Sequence, residues 1–341
     1  MRRINCTPEV GVMKTAPIRV PFSLVRQSGS RRLVRCQATY AIAGEVMNHC
    51  QPAILEASVP LRARHLFFSL SSPGELCAAL DRLVPLIDGR SLVVGLGQPL
   101  VQALGCSVSG LQAFPCFEGA LVDVPSTQHA LWCWLRGEDR GELLHVSRRL
   151  EAALFPALAL DQAVEAFRHK EGHDLTGYED GTENPVGDAA IEAAIVAEGE
   201  AGDVGGSFAV IQRWVHDLNY FESLPASEQD DIFGRRKSDN EELDEAPASA
   251  HVKRTAQESF EPEAFMVRRS MPWVEGAQAG LMFLCFGRSF AAFEVQMRRM
   301  AGVDDGIVDA LYRFSRPVSG DYYWCPPLRG GVLDLSALQV C

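Results

Sequence analysis

No stretch of the 341-residue chain approaches the roughly 18 consecutive apolar residues that span a bilayer; the apolar segment at 279–287 is short and bounded by Gln278 and Arg288. The sequence therefore predicts no membrane-spanning helix. Ten cysteines are present, yet no two stand in Cys-x-x-Cys spacing, which removes the zinc ribbon and the iron–sulfur run as readings. Cys133 and Cys285 sit inside apolar runs and read as buried thiols, which fits a reducing, cytoplasmic compartment. No His-Glu-x-x-His pair occurs among the eight histidines, so catalytic zinc is disfavoured and a single axial ligand for a large cofactor is the better use of a His. Positive charge is scarce outside the amino terminus. The chain carries −12, but its first 46 residues hold eight Arg/Lys against two acids, which leaves −18 on the remainder. That balance disfavours nucleic acid and anionic membranes as partners.

What is there is the composition of a globular protein, 47% hydrophobic and 22% charged, on a chain long enough for two domains. Residues 1–46 read as an extension. Met1–Arg35 is rich in Arg, contains Ser and has one acid, Glu9, a composition like that of an organellar transit peptide; the competing reading is a disordered leader before a start at Met47. No apolar h-region with a small-residue cleavage site follows Arg2-Arg3, so twin-arginine export lacks support.

From Gln51 onward the pattern predicts strand-like runs at Pro52–Val59 and His65–Leu70, then a helix announced by Ser71-Ser72-Pro73 with Leu76, Leu80, Leu83 and Leu86 as its stripe. Strands at Ser91–Leu96 and His129–Leu135 and a helix over Asp139–Leu154 complete a β-α-β-β-α-β order. The second half repeats the alternation, with strands near 161–168, 207–215, 265–269 and 280–287 and helices near 217–223, 226–233, 290–300 and 305–313. No residue-level repeat accompanies this, so duplication rests on element order alone. Two polar stretches, Gly177–Gly206 and Gly234–Ala250, are longer than simple connections require.

Residues 174–185, Asp-Leu-Thr-Gly-Tyr-Glu-Asp-Gly-Thr-Glu-Asn-Pro, gather two glycines, a proline and four acids. Alone they support a capped surface turn, an acid held for proton transfer or, weakly, a calcium loop, whose alternate-position acids are missing. Three histidines stand out: His173 beside this loop, His216 in Trp214-Val215-His216-Asp217-Leu218, and His251 in Ala250-His251-Val252.

Six ordered blocks now take on a joint meaning. They are Gly177-Tyr178-Glu179-Asp180-Gly181-Thr182-Glu183-Asn184-Pro185; Gly205 through Leu218; Gly234-Arg235-Arg236-Lys237 with Asp239–Leu243; Ala250-His251-Val252; Arg268-Arg269-Ser270-Met271-Pro272-Trp273; and Arg313–Gly320. Together they resemble the dye-decolourising haem peroxidases over roughly residues 50–341, with the GxxDG loop as the first block. The resemblance implies an α+β fold of two ferredoxin-like domains, antiparallel sheets flanked by helices in the manner of dimeric α+β barrels. Residues 47–160 would form the first domain and residues 161–341 the second, which would bind one haem b per chain.

Residue by residue, the resemblance makes His251 the proximal iron ligand and Asp309 the acid that receives its other N–H. It makes Asp180 the group that relays the peroxide proton, and Arg268 the permanent cation that stabilises developing charge. Arg269 is adjacent, but neighbouring side chains in an extended segment point oppositely, so one of the two faces the iron. Ser270 stands where many relatives have Asn, and Glu179 where the family is often apolar. Phe283 aligns with an apolar residue of the distal pocket, and equally reads as strand core. Tyr178, Trp214, Trp273, Tyr322, Tyr323 and Trp324 read as electron relays or as packing.

The leading reading is thus a peroxidase that uses hydrogen peroxide to oxidise bulky organic donors, dyes or phenolics, through a ferryl intermediate. A haem- or porphyrin-handling or iron-releasing protein of the same fold is the second reading, and a cofactor-free ferredoxin-like binding module the third. The residues leave a homo-oligomer open and do not name the reductant.

Overall fold

Most strands of this chain are covered on both faces, which is why they read as continuous apolar runs such as Leu131–Leu135 and lack a clean alternation. The computed structural model describes residues 49–199 and 202–338. The extension 1–46, the start at Met47 and the last three residues of the tail lie outside them.

Ten strands form one antiparallel sheet: β1 (Arg62–Leu70), β2 (Leu92–Leu96), β3 (Leu131–Gly137), β4 (Leu158–Phe167), β5 (Ser207–His216), β6 (Val267–Arg268), β7 (Met271–Glu275), β8 (Gln278–Gly287), β9 (Ser315–Pro317) and β10 (Asp321–Cys325). The order is β6-β8-β7-β4-β1-β3-β2-β10-β5-β9, and a further pairing of β8 with β5 closes eight of the strands into a barrel. The fold is therefore mixed α and β around a closed antiparallel barrel. Two sets of four strands, β4-β1-β3-β2 and β10-β5-β8-β7, meet at two narrow seams, Trp324 opposite Leu96 and Ala166 opposite Trp273.

The barrel interior holds the largest side chains. Trp132 stacks on Trp134 with centroids 6.5 Å apart and on Tyr323 at 5.8 Å, and Phe286 packs against both tryptophans. His65 lies among them, accepting from the Trp132 indole N–H at 3.3 Å; burial pushes its pKa down to about 3, so the ring is neutral. On the outer face, Leu66, Phe68, Cys133 and Leu135 belong to a second core cluster, shared with the helices Leu76–Leu83 and Arg140–Leu154. Asp139 caps the longer helix by accepting from the Glu142 N–H. Burial drives the Cys133, Cys285 and Cys325 thiols far above their ordinary range. No described helix is long and apolar enough to cross a membrane.

Several expectations need correction. Pro52–Val59 is not a strand: Pro52–Ile54 is a 3-10 turn followed by loop, because Pro52 and Pro60 supply no N–H to a ladder. Ala53 and Ile54 instead join the interior cluster, and the Gln51 side chain bridges the Val94 N–H and C=O and the Pro326 C=O. The segment at 305–313 is not an α-helix but a 3-10 turn, Ala310–Arg313, since Gly306 takes φ +76° and Asp309 spends its side chain capping Leu311. The strand expected near 265–269 is only Val267–Arg268, and β7, β9 and β10 were not anticipated. Tyr322, Tyr323 and Trp324 are buried residues of β10.

Asp321, at the start of β10, is fully buried and accepts from the His129 N–H at 2.8 Å, His129 Nδ1 at 2.7 Å and the Thr127 hydroxyl at 2.8 Å. Burial opposes a charge on His129, but Asp321 and the more exposed Asp161, 3.2 Å from Nε2, outweigh it and hold the pKa above 6.5. A group raised on folding stabilises fully below its unfolded pKa and loses that contribution as pH rises through the folded one. The stability difference between the parent and His129→Gln should therefore be largest near about pH 5 and shrink toward about pH 9 in thermal melts. A difference that grows with pH would contradict the pairing.

Candidate active site

Outside the barrel wall, a cavity of about 380 Å³ opens against the outer faces of β5 and β8. Its apolar lining includes Leu281 and Phe283 from β8, Met297 and Met300 from the helix Ala291–Met300, and Leu311 and Phe314 from the turn before β9. Phe283 sits opposite Gln212 in the β5–β8 register and reaches the Phe293 ring at 6.0 Å.

Asp180 reaches this cavity from a tight hairpin. His173 bridges Glu179, the Asp174 N–H donates to the Tyr178 C=O at 2.8 Å, and the Asp180 N–H donates to the Gly172 C=O at 3.1 Å. Gly177 and Gly181 take φ +90° and +81°, a left-handed backbone that favours glycine. The hairpin rests on Asp174, whose carboxylate accepts from the Thr176 N–H and hydroxyl and pairs with His216 Nε2 at 3.1 Å; His216 Nδ1 lies 2.7 Å from the Ser315 hydroxyl. Burial works against the charge of Asp174, but the His216 and Thr176 contacts hold its carboxyl below the usual range.

Arg268, on β6, brings Nη1 to 4.0 Å from Asp180 Oδ1, and its Nε is buried without a partner among the described residues. Arg269 diverges from it: it does not line the cavity, is 4% exposed, and donates from Nη1 to the Arg268 C=O at 2.8 Å. Ser270 does not line the cavity either, and its hydroxyl is buried without a partner among the described residues. Glu179 lines the cavity but is exposed, accepting from the Asn240 amide at 3.1 Å.

His251 opens the short helix His251–Thr255 and lines the same cavity. Its Nδ1 lies 2.8 Å from Asp309 Oδ2, while Asp309 Oδ1 accepts from the Leu311 N–H at 2.8 Å. Asp309 is buried behind the histidine, and backbone bonds from Asp309 to Met300 and from Ala310 to Ser249 fix its place. A carboxylate acceptor puts the ring proton on Nδ1 and leaves the Nε2 lone pair available to a ligand. The structure thus brings Asp180, Arg268, Phe283 and His251 to one cavity, with Asp309 behind. Among the described residues, no cluster of three or more His, Cys, Asp or Glu is arranged to hold a bare metal ion.

Gln212 escaped the sequence reading. Its Oε1 accepts from the Trp214 indole at 3.2 Å, and its Nε2, in a residue of the cavity wall, has no partner among the described residues. The available signal was a glutamine inside the apolar run Phe208–Val215.

The barrel-backed cavity combines two carboxylate-tethered imidazoles, His251 and His216, with an acid–arginine pair, a set consistent with an oxidoreductase of the peroxidase class. Residues 171–330 match the family model described as Dyp-type peroxidase, C-terminal. The chain is 30% identical over 246 residues to a dye-decolorizing peroxidase of Mycobacterium tuberculosis, covering 70% of this chain and 73% of that one. It is 26% identical to the solved dye-decolorizing protein from V. cholerae, with a TM-score of 0.71 over 85% of this chain and 99% of that one. A Rhodococcus jostii RHA1 DypB variant solved in complex with heme shares the fold at 24% identity, with a TM-score of 0.73 over 79% of this chain and 94% of that one. The chain belongs to the dye-decolorizing peroxidases.

The hairpin analysis generates its own test. Asp174→Ala leaves the Thr176 N–H and His216 Nε2 without their acceptor, and should cost about 1–3 kcal/mol in denaturant unfolding. No loss would show that the loop is held elsewhere.

Proposed function

We propose that this chain binds one haem b in the cavity and uses hydrogen peroxide to oxidise bulky organic donors such as dyes and phenolics. The observation that carries this reading is one cavity shared by an imidazole whose Nδ1 is taken by Asp309 and an acid–arginine pair 4.0 Å apart. The donor set fits the group: apolar walls for a macrocycle, one free ring nitrogen for iron, and the buried, unpartnered Nε of Arg268. When bound, the haem iron supplies the site at which peroxide is reduced by two electrons, which organic donors then return one at a time.

The protein's own residues do the rest. His251 Nε2 would hold the iron, and Asp309, by accepting the Nδ1 proton, makes that imidazole a stronger donor. Asp180 takes the proton from one peroxide oxygen and delivers it to the other, so that water can leave. Arg268, permanently charged, stabilises the anionic peroxide and the charge that builds during cleavage. Phe283 keeps the pocket apolar and excludes competing water. Ser270 lies outside the cavity lining and takes no part in this set. We read the two four-strand sets as ferredoxin-like domains, each in the order 4-1-3-2, with β4 completing the first and the second carrying the haem. We read the location as cytoplasmic from the scattered, unpatterned cysteines.

Supplied with haem, the purified protein should show a Soret band that changes on adding peroxide; a colourless protein would sink this reading. Iron-free porphyrin appearing without peroxide consumption would favour haem handling instead. His251→Ala should lose or loosen haem. Asp180→Asn should retain it and react with peroxide about 10²–10⁴-fold more slowly, and Arg268→Leu about 10²–10³-fold more slowly. Stopped-flow absorbance measures each, and an unchanged rate for Asp180→Asn would leave activation to Arg268.

A further inference from the structure

Asp180 and Arg268 come from segments distant in sequence, and their side chains do not hold each other. At 4.0 Å the carboxylate–guanidinium separation lies beyond the roughly 2.7–3.2 Å of a formed N–H···O bond. Something else must set their spacing. The Arg268 N–H donates to Asn184 Oδ1 at 2.8 Å, and Asn184 Nδ2 donates back to the Arg268 C=O at 3.0 Å. This reciprocal pair occupies the open edge of β6, whose other edge is laddered to β8 through Val267 opposite Phe286 and Arg268 opposite Cys285. One side-chain amide thus stands where a neighbouring strand would be.

Asn184 is itself fixed to the acid's loop. Its N–H donates to the Gly181 C=O at 3.0 Å, closing the turn that follows Asp180. The turn is shaped around the amide: a Cβ on Gly181 would come within 2.7 Å of Asn184 Nδ2, and Gly181 takes φ +81°. A parallel link one residue back has Gln257 donating to the Glu183 C=O at 2.9 Å and accepting from the Met266 N–H at 3.1 Å. The Asn184 bonds grip Arg268 itself.

We propose that Asn184 is a positioning residue for peroxide activation, a two-bond clasp that registers the Asp180 loop against the Arg268 backbone. The inference rests on the peroxidase reading for its functional consequence, though the clasp is a property of the chain alone. Its effect follows from the sensitivity of proton relay and charge stabilisation to placement, where a displacement of about 1 Å costs about a hundredfold. Asn184→Ala removes both bonds; Asn184→Asp keeps an acceptor for the Arg268 N–H but sets an oxygen against the Arg268 carbonyl.

The test combines three readouts on the full chain. Hydrogen exchange of the peptide carrying Arg268, measured without haem, should speed up in Asn184→Ala; unchanged exchange would overturn the clasp whatever the cofactor does. With haem supplied, Asn184→Ala should keep its Soret band but react with peroxide about tenfold or more slowly, and Asn184→Asp should fall on the same side of the parent. The same Asn184→Ala change in an Arg268→Leu background should slow the reaction by a smaller factor than in the parent, because the guanidinium whose spacing from Asp180 the clasp sets is gone. Equal slowing in both backgrounds would mark a merely structural role and overturn the proposal, as would a parent-like rate in Asn184→Ala. If Asn184→Ala fails to fold, Asn184→Asp carries the same comparison. A parent that binds no haem refutes the peroxidase reading and leaves the exchange result to decide the clasp.

Discussion

The β5–β8 ladder is the constraint on which the rest of the molecule depends. It runs from Phe208 opposite Gly287 to Val215 opposite Gly280, and it converts an open sheet into a closed ring. Its inner residues, Ala209, Ile211, Met282, Leu284 and Phe286, belong to the barrel core, while Gln212, Trp214, Leu281 and Phe283 wall the cavity. At Gly280 a Cβ would stand 1.9 Å from the Trp214 carbonyl oxygen. Only a residue without a side chain lets the ladder continue to its end there. A rigid wall matters because Asp180 arrives on a loop and His251 on a short helix, which supply little stiffness of their own.

Those loops are fastened by polar contacts of unequal burial. Asp309 is buried and spends one oxygen on backbone and one on His251, so the imidazole has little rotational freedom. The acid hairpin is held at its base by Asp174, His216 and Ser315 and along its side by Tyr178, which donates to Asp230 at 2.5 Å and stacks on Phe233 at 3.9 Å. Arg268 is bound at its backbone, while its side chain keeps an unpartnered nitrogen. Holding the main chain while leaving the functional atoms unspent is what a preorganised electrostatic site requires.

Legibility in the sequence followed the same division. Helices with a cap and a stripe, such as Arg140–Leu154 behind Asp139, could be read directly, as could β5 and β8 from their apolar runs. β10 was missed because Tyr322-Tyr323-Trp324, though read as packing as well as relay candidates, was not assigned to a strand, and Pro52–Val59 was gained wrongly because an apolar run outweighed its flanking prolines. The candidate site residues were proposed from ordered motifs; local pattern alone did not separate Asp180 from a capped turn. Barrel closure and the Asn184 contact with Arg268 are long-range facts that no spacing along the chain encodes.

The burial of Cys133, Cys285 and Cys325 bears on how long such a protein lasts. Peroxides attack thiolates, and a thiol whose ionisation is suppressed by its surroundings presents almost none of that form near neutrality. Cys285 follows this rule although it shares β8 with Phe283, a wall residue of the cavity. Cys77 and Cys116, in contrast, are exposed. Among the described residues, the sulfurs most open to oxidation thus lie outside the barrel strands.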